Sequence, residues 1–217
     1  RRRGAGGRGI LVADSHPSGD TRGLVQLPAD AGEVELGRDS LLQAMRTLHD
    51  GRIQQGVVQV PEGGTLSDAF MAYMQQSEQA VTMAAFTTLL ADGAVAAAGG
   101  YLVQVLPDAL RESLRAMTER IERFGSVDRA VAGPGFSARG LLADVLGDVE
   151  FEVRDEIPVR FGCWCDEVRV VAALASLSRA DLESLLSDGE VIELSCEYCG
   201  KDYRIPPARL RGLLGDS

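Results

Sequence analysis

The sequence predicts an α+β chain. A mixed or antiparallel β-sheet domain with helices comes first, then a helical connector, then a small C-terminal domain built around cysteines. Three observations predict it. Short apolar runs closed by Gly and Pro fill the first part of the chain. A highly charged stretch with a helical apolar stripe follows. All four cysteines then fall in two short pieces, "GCWCDEV" at 162–168 and "SCEYCGKDY" at 195–203. The expected boundaries are 1–107, 108–160 and 161–217.

The elements can be justified in order. "RRRGAGGRGI" has no apolar stretch after its charges and no phosphate-loop spacing, so it reads as a loose tail or a late start. "GRGILVADS" and "TRGLVQLP" are short strands around the turn cluster His16-Pro17-Ser18-Gly19. "RIQQGVVQVPE" (52–62) is another strand, closed by Pro61 and Gly63-Gly64. Thr65 opens a helix, with Asp68 at capping-box spacing. Leu66, Phe70, Tyr73 and Met74 share a face of it, and it should end near Ser77-Glu78-Gln79. Residues 80–106 carry one charge, Asp92, and are long enough to span a bilayer. Asp92-Gly93 is a hairpin signal and Gln104 interrupts the second arm, so two buried strands joined by a turn are expected instead.

From Pro107 the pattern changes. Leu110, Leu114, Met117 and Ile121 form one stripe on a charged helix that stops at Gly125. "AGPGFS" (132–137) is a loop, and Ser137 caps a second short helix stopped by Gly147. Such narrow-striped helices are stable only when docked, so 108–160 is expected to be a marginal connector. After Cys165 comes a helix with Val168, Val171 and Leu174 in register. Ser178 and Asp181 cap another, with Leu182, Leu185 and Leu186, ended by Gly189. "EVIELSC" and "DYRI" are strands on either side of the second cysteine pair, and "PARLRGLLG" is a final short helix.

Composition excludes some partners. The 217 residues carry a net charge of −10, which disfavours nucleic acid and anionic membranes. All but one of the basic residues are Arg, Lys201 being the exception. His16 and His49 sit in turns with no catalytic arrangement around them. There is no nucleophile–base pair and no open metal position, so an enzyme is not expected.

The cysteines carry the chemistry. Two close pairs, Cys163/Cys165 and Cys196/Cys199, read as a tetrathiolate site, and zinc suits four sulfurs. Residues 161–217 are too few for a comfortable core, and a structural zinc supplies of order 10 kcal/mol or more of apparent folding energy. Unrelated buried cysteines or two permanent disulfides are the weaker alternatives. The C-x-C half is less ordinary. Cysteines one residue apart close a disulfide only through a small strained ring, which is easily reduced again. Zinc keeps the sulfurs as thiolates, the oxidisable form. This points to a redox switch that ejects zinc on oxidation. Arg169, Lys201 and Arg204 are candidates to offset the site's charge, with solvated surface charges as the equal alternative, Trp164 to report on it, and Tyr198 and Tyr203 to pack beside it. Met71, Met74 and Met83 read as core, with an adaptable binding surface as the alternative.

With these motifs in place, the chain resembles the 33 kDa chaperonin family, the redox-regulated heat-shock holdases of the bacterial cytoplasm. "QGVVQVPEGGTLSDAFMAYMQQSEQ" (55–79), "AAGGYLVQVLP" (97–107), "FGCWC" and "CEYCGKDY" are similar to family motifs in the same order. The resemblance implies one zinc held by Cys163, Cys165, Cys196 and Cys199 in an inactive reduced form. It implies that oxidation pairs Cys163 with Cys165 and Cys196 with Cys199, and that the C-terminal region then unfolds. Unfolding client proteins then bind without ATP, and a homodimer accompanies activation. Two departures stand out. Asp166 replaces the usual Ser after C-x-C and should disfavour thiolates slightly. The chain also begins inside the family's first domain, so an N-terminal portion is expected to be missing. A static zinc-ribbon module for protein or nucleic acid, and a thiol oxidoreductase, are the competing readings.

Overall fold

The computed structural model describes residues 9–27, 36, 39–107, 109, 111–175, 177–187 and 189–214. The N-terminal tail 1–8 and Leu110 of the predicted stripe lie outside them. Contacts divide the chain into two units, one from Arg1–Val34 with Arg154–Ser217, the other from Glu35–Val153. This division runs along a different line from the functional one above, because the first strands group with the cysteine region.

After β1 (Ile10–Ser15) and β2 (Asp20–Gln26) of the other unit, the continuous unit opens with β3 (Leu41–Thr47), which pairs antiparallel with β4 (Ile53–Gln59). β3 was not expected, although Asp50-Gly51 is a hairpin signal and Gly51 has the positive φ of such a turn. One face of this hairpin lies against α1 (Leu66–Gln76). The other leaves Leu41, Met45, Ile53 and Val57 exposed. Gly56 permits the close approach of α1, since a Cβ there would overlap Ser77 Oγ and lie 2.8 Å from Tyr73 Cε2. The predicted capping box is present, with Asp68 N–H donating to Thr65 Oγ1 and Thr65 N–H to Asp68 Oδ2. The buried positions of α1 are Ala69 and Tyr73, whereas Leu66 is exposed. The core face is thus centred one residue from the expected Phe70.

β5 (Thr82–Ala91) and β6 (Ala94–Gln104) form the predicted hairpin, turning at Asp92-Gly93, both with positive φ. The expectation that both strands are buried is corrected. Ala84 is the one buried residue of the pair among those described, and Leu90 and Val95 are 70% and 63% exposed. Two later helices, Val127–Ala132 and Ala138–Leu146, pack on the Ala85/Leu89 side of the hairpin. Phe70 of α1 meets Phe86 on the other side with ring centres 5.5 Å apart, and the tip at Leu90 and Val95 is left clear.

The charged region is not uniform. α2 (Arg111–Phe124), α3 (Val127–Ala132) and α4 (Ala138–Leu146) follow one another. α3 is too short for periodicity to find. Val127, Val131, Leu141 and Val145 of α3 and α4 form a buried cluster, packed against Ala85, Leu89, Ala97, Tyr101 and Val103 of the hairpin and Ile121 and Phe124 of α2. The Gly99-Gly100 pair has a physical reason here, since a Cβ on Gly99 would lie 2.9 Å from Val131 Cγ2 and 3.0 Å from Phe136 Cζ. The first half of the expected connector is therefore docked. Residues 150–159 have no regular secondary structure, and Phe151, Ile157 and Val159 in them are exposed.

In the discontinuous unit, β1 (Ile10–Ser15) and β2 (Asp20–Gln26) form an antiparallel hairpin, and β7 (Arg160–Phe161) adds parallel to β2. α5 (Glu167–Leu174), α6 (Arg179–Ser187), β8 (Ile192–Ser195), β9 (Asp202–Ile205) and α7 (Pro207–Leu214) follow where expected. Tyr203, Ile205 and Leu210 are its buried cluster, lined by Val170, Val171, Leu174, Leu186, Ile192 and Leu194. Val168 is 77% exposed, which corrects the predicted register. The core face of α5 is Val170, Val171 and Leu174. Among the described residues no helix is long and apolar enough to cross a membrane.

Candidate metal centre

Two supports bring the cysteine pairs together. The second pair sits on the tight turn between β8 and β9. Cys196 N–H donates to Lys201 O at 2.9 Å and Gly200 N–H to Cys196 O at 2.7 Å. Gly200 has φ 70, a conformation costly for any residue with a Cβ. The first pair is laid on β2. Arg160 N–H donates to Gly19 O and Gly162 N–H to Thr21 O, each at 3.0 Å. Arg160 Nε reaches Asp20 Oδ1 at 2.7 Å. A Cβ on Gly162 would stand 2.7 Å from the same carboxylate oxygen, so the glycine before Cys163 lets the chain pass Asp20.

The Sγ atoms of Cys163, Cys165, Cys196 and Cys199 all lie within 4.8 Å of one another. Cys163 and Cys196 are 3.8 Å apart, and Cys165 and Cys199 3.5 Å. Zn–S bonds of about 2.3 Å in a tetrahedron place sulfurs about 3.8 Å apart. The donor set therefore fits a thiophilic dication.

The electrostatics agree with that fit. Desolvation opposes ionisation of Cys163, but the Cys165 N–H, the Arg22 guanidinium and the neighbouring thiols outweigh it and bring its thiol down to about 6. Cys199 gains from the Lys201 N–H, yet the Cys165 thiol, desolvation and the other two cysteines push it up to about 12. Four sulfurs this close do not all ionise by themselves, and a bound cation is what lets them. Tyr203 Oη donates to Cys165 Sγ at 3.1 Å. That bond, then burial and the cluster's charge, raise the phenol above its ordinary range.

The counter-charge comes from a residue not among the three expected. Arg169 pairs with Asp166 at 3.6 Å, Arg204 with Glu193 at 3.0 Å, and Lys201 lies 5.1 Å from the centre of the Tyr203 ring. Arg22 of β2 instead points Nη1 at Cys163 Sγ, 3.7 Å away. Its guanidinium carbon stands 4.0 Å from the Trp164 ring centre and 4.2 Å from that of Tyr198. Arg22 is 141 residues from Cys163, and no local motif announces it. Asp166 also has a clear task. Its side chain caps α5, accepting from Arg169 N–H at 2.8 Å. The two histidines are exposed in their turns, as expected.

Comparison with known proteins agrees with this arrangement. A family model described as Hsp33 protein matches residues 1–206. The chain belongs to the Hsp33 family. It is 30% identical to the 33 kDa chaperonins of Bacillus cytotoxicus and Bacillus mycoides over 97% of its own length and 76% of theirs. The crystal structure of the 33 kDa chaperonin (heat shock protein 33 homolog) of Thermotoga maritima superposes with a TM-score of 0.71 at 22% identity. That match covers 94% of this chain and 72% of the other. The family and the four-cysteine cluster support a redox-regulated chaperone, and the static zinc ribbon is not favoured. The relatives it matches are named as chaperonins.

Proposed function

We propose that this Hsp33-family chain is an ATP-independent holdase, switched on by oxidation of a zinc site made of Cys163, Cys165, Cys196 and Cys199. The observation that carries the reading is the sulfur cluster, with its tetrahedral spacings. When bound, zinc holds the four sulfurs side by side as thiolates. Oxidation joins Cys163 to Cys165 and Cys196 to Cys199. In each pair two thiolates give two electrons to one peroxide, two protons are taken up, and a disulfide and two waters result. No sulfur donors then remain to hold a cation, and the small unit loses what supplements its modest core. The stretch 150–159, with its exposed apolar residues, is the part of the connector that follows the loss. Unfolding client proteins bind the apolar surface released, the active form is a homodimer, and the setting is the cytoplasm. Neither nucleic acid nor a membrane is a partner, in keeping with the acidic charge. In this scheme 1–107 is the chaperone domain, 108–160 the connector and 161–217 the switch.

The test is zinc release from reduced protein, followed with a chromogenic chelator during peroxide treatment at heat-shock temperature, alongside suppression of aggregation of an unfolding client. Release of a single zinc per chain, reversed by thiol reductant and zinc, together with activity confined to the oxidised form, supports the reading. A zinc that stays in place under peroxide overturns it in favour of a structural staple.

A further inference from the structure

The geometry points to Arg22 as the positioning residue that couples the cysteine site to the β1–β2 hairpin, which makes that hairpin a moving part of the switch. The inference rests on the redox reading above. Arg22 occupies a slot with one wall from each cysteine pair. Trp164 stands between Cys163 and Cys165, and Tyr198 between Cys196 and Cys199. Their rings cover the two faces of the guanidinium at 4.0 and 4.2 Å. On the guanidinium's edge, Nε and Nη2 meet Asp14 Oδ2 at 3.0 and 2.8 Å, and Nη1 faces Cys163 Sγ at 3.7 Å. The Arg22 side chain is only 15% exposed. The slot exists only while the two arms stand together, and the shared sulfur site joins them where they flank Arg22.

Apart from the two backbone bonds that Arg160 and Gly162 give to β2, little else among the described residues holds the hairpin. None of its residues belongs to the buried cluster of Tyr203, Ile205 and Leu210. Ile10, Leu11 and Val25 are about half exposed or more. Its other polar ties also run to the cysteine arms, Asp20 to Arg160 ahead of Cys163 and Gln26 to Glu197 beside Cys196. A two-stranded hairpin is marginal by itself. When each pair closes on itself by the oxidation written above, the anion at Cys163 is consumed and the arms part. Arg22 then loses both stacked rings and its sulfur contact together, and β1–β2 is released.

The test is amide hydrogen exchange over residues 10–26 in the full chain, zinc-loaded and reduced against peroxide-oxidised, for wild type, Arg22→Ala and Arg22→Lys. In wild type the hairpin is protected when reduced and exchanges at least about tenfold faster once zinc has left. Reduced, zinc-loaded Arg22→Ala shows that faster exchange already, with zinc stoichiometry unchanged and Trp164 emission shifted to the red. Its zinc passes to a chelator roughly threefold to thirtyfold faster, the range from an exposed to a desolvated cation–π stack. Arg22→Lys keeps a charge but not the planar fork, and restores the exchange only in part. Wild-type hairpin protection that survives zinc loss overturns the inference, as does unchanged exchange in reduced Arg22→Ala. Should Arg22→Ala not hold zinc, the two wild-type states decide. Should peroxide fail to release zinc, the redox reading falls, and the reduced variants still decide the role of Arg22.

Discussion

Val127, Val131, Leu141 and Val145 bury one another and a wall of apolar side chains from β5, β6 and α2. Tyr203, Ile205 and Leu210 do much the same, except that Cys165 and Cys196 are part of their wall. The two clusters differ little in size and greatly in what completes them. The first is finished by hydrocarbon, with Val131 and Phe136 lying close over Gly99. The second is finished by sulfur, whose geometry depends on charge and oxidation state. A fold can thus keep one part constant and make another conditional by what completes each cluster.

That contrast can be broken in graded steps. Metal removal is the largest. Chelation of the reduced protein should cost the unit around Tyr203 of order 10 kcal/mol of apparent stability. Amides of α5, β8 and β9 should lose protection, while those of β5 and β6 keep theirs. Retained protection in β8–β9 after complete zinc removal would erase the distinction between the clusters. Leu141→Ala is the reciprocal experiment. It should cost about 2–5 kcal/mol in the continuous unit through the cavity it leaves, seen as a lower denaturant midpoint, with zinc stoichiometry unchanged. Gly99→Ala is smaller. Its methyl would press on Val131 and Phe136, and about 1–3 kcal/mol is expected from overpacking. A denaturant series with Val131→Ala should show partial mutual relief. Thr65→Ala is smallest, about 1 kcal/mol for a lost helix cap. The Thr65 N–H and then its hydroxyl hold the Asp68 carboxyl below its ordinary value, against desolvation. This contribution is therefore fully present above the unfolded carboxylate value, about 3.9, and is lost as pH falls through the lower folded value. The cost of Thr65→Ala should accordingly shrink in acid, which thermal unfolding at several pH values would reveal.

What the sequence made legible was local. Strand runs bounded by Gly and Pro, the Asp92-Gly93 turn, the Thr65–Asp68 box and both cysteine turns are decided within a few residues, and each is where it was expected. The four candidate ligands converge, as their spacing suggested. Facing was harder. Val168 and Leu66 point outward because the core side of a short helix is chosen by its neighbours, not by its own periodicity. β5 and β6 are as apolar as buried strands, yet their tip at Leu90 and Val95 has no cover. β3 left a readable turn at Asp50-Gly51 that went unused. Arg22 left no local mark, since only the pairing of β2 with β7 brings it to Cys163.

The pairing of β2 with β7 has a consequence for how the chain is made. A whole compact unit is inserted between the two parts of the other. As the chain leaves the ribosome, residues 35–153 have all their internal partners before Cys163 has been added. The hairpin of Ile10–Gln26, synthesised before them, must wait for Arg160 before β2 has its third strand and for Tyr198 before Arg22 is enclosed. Contacts of such wide sequence separation form late, after the loop they close has been compacted. The order of synthesis therefore lets the sulfur centre be completed only after Glu35–Val153 has been made.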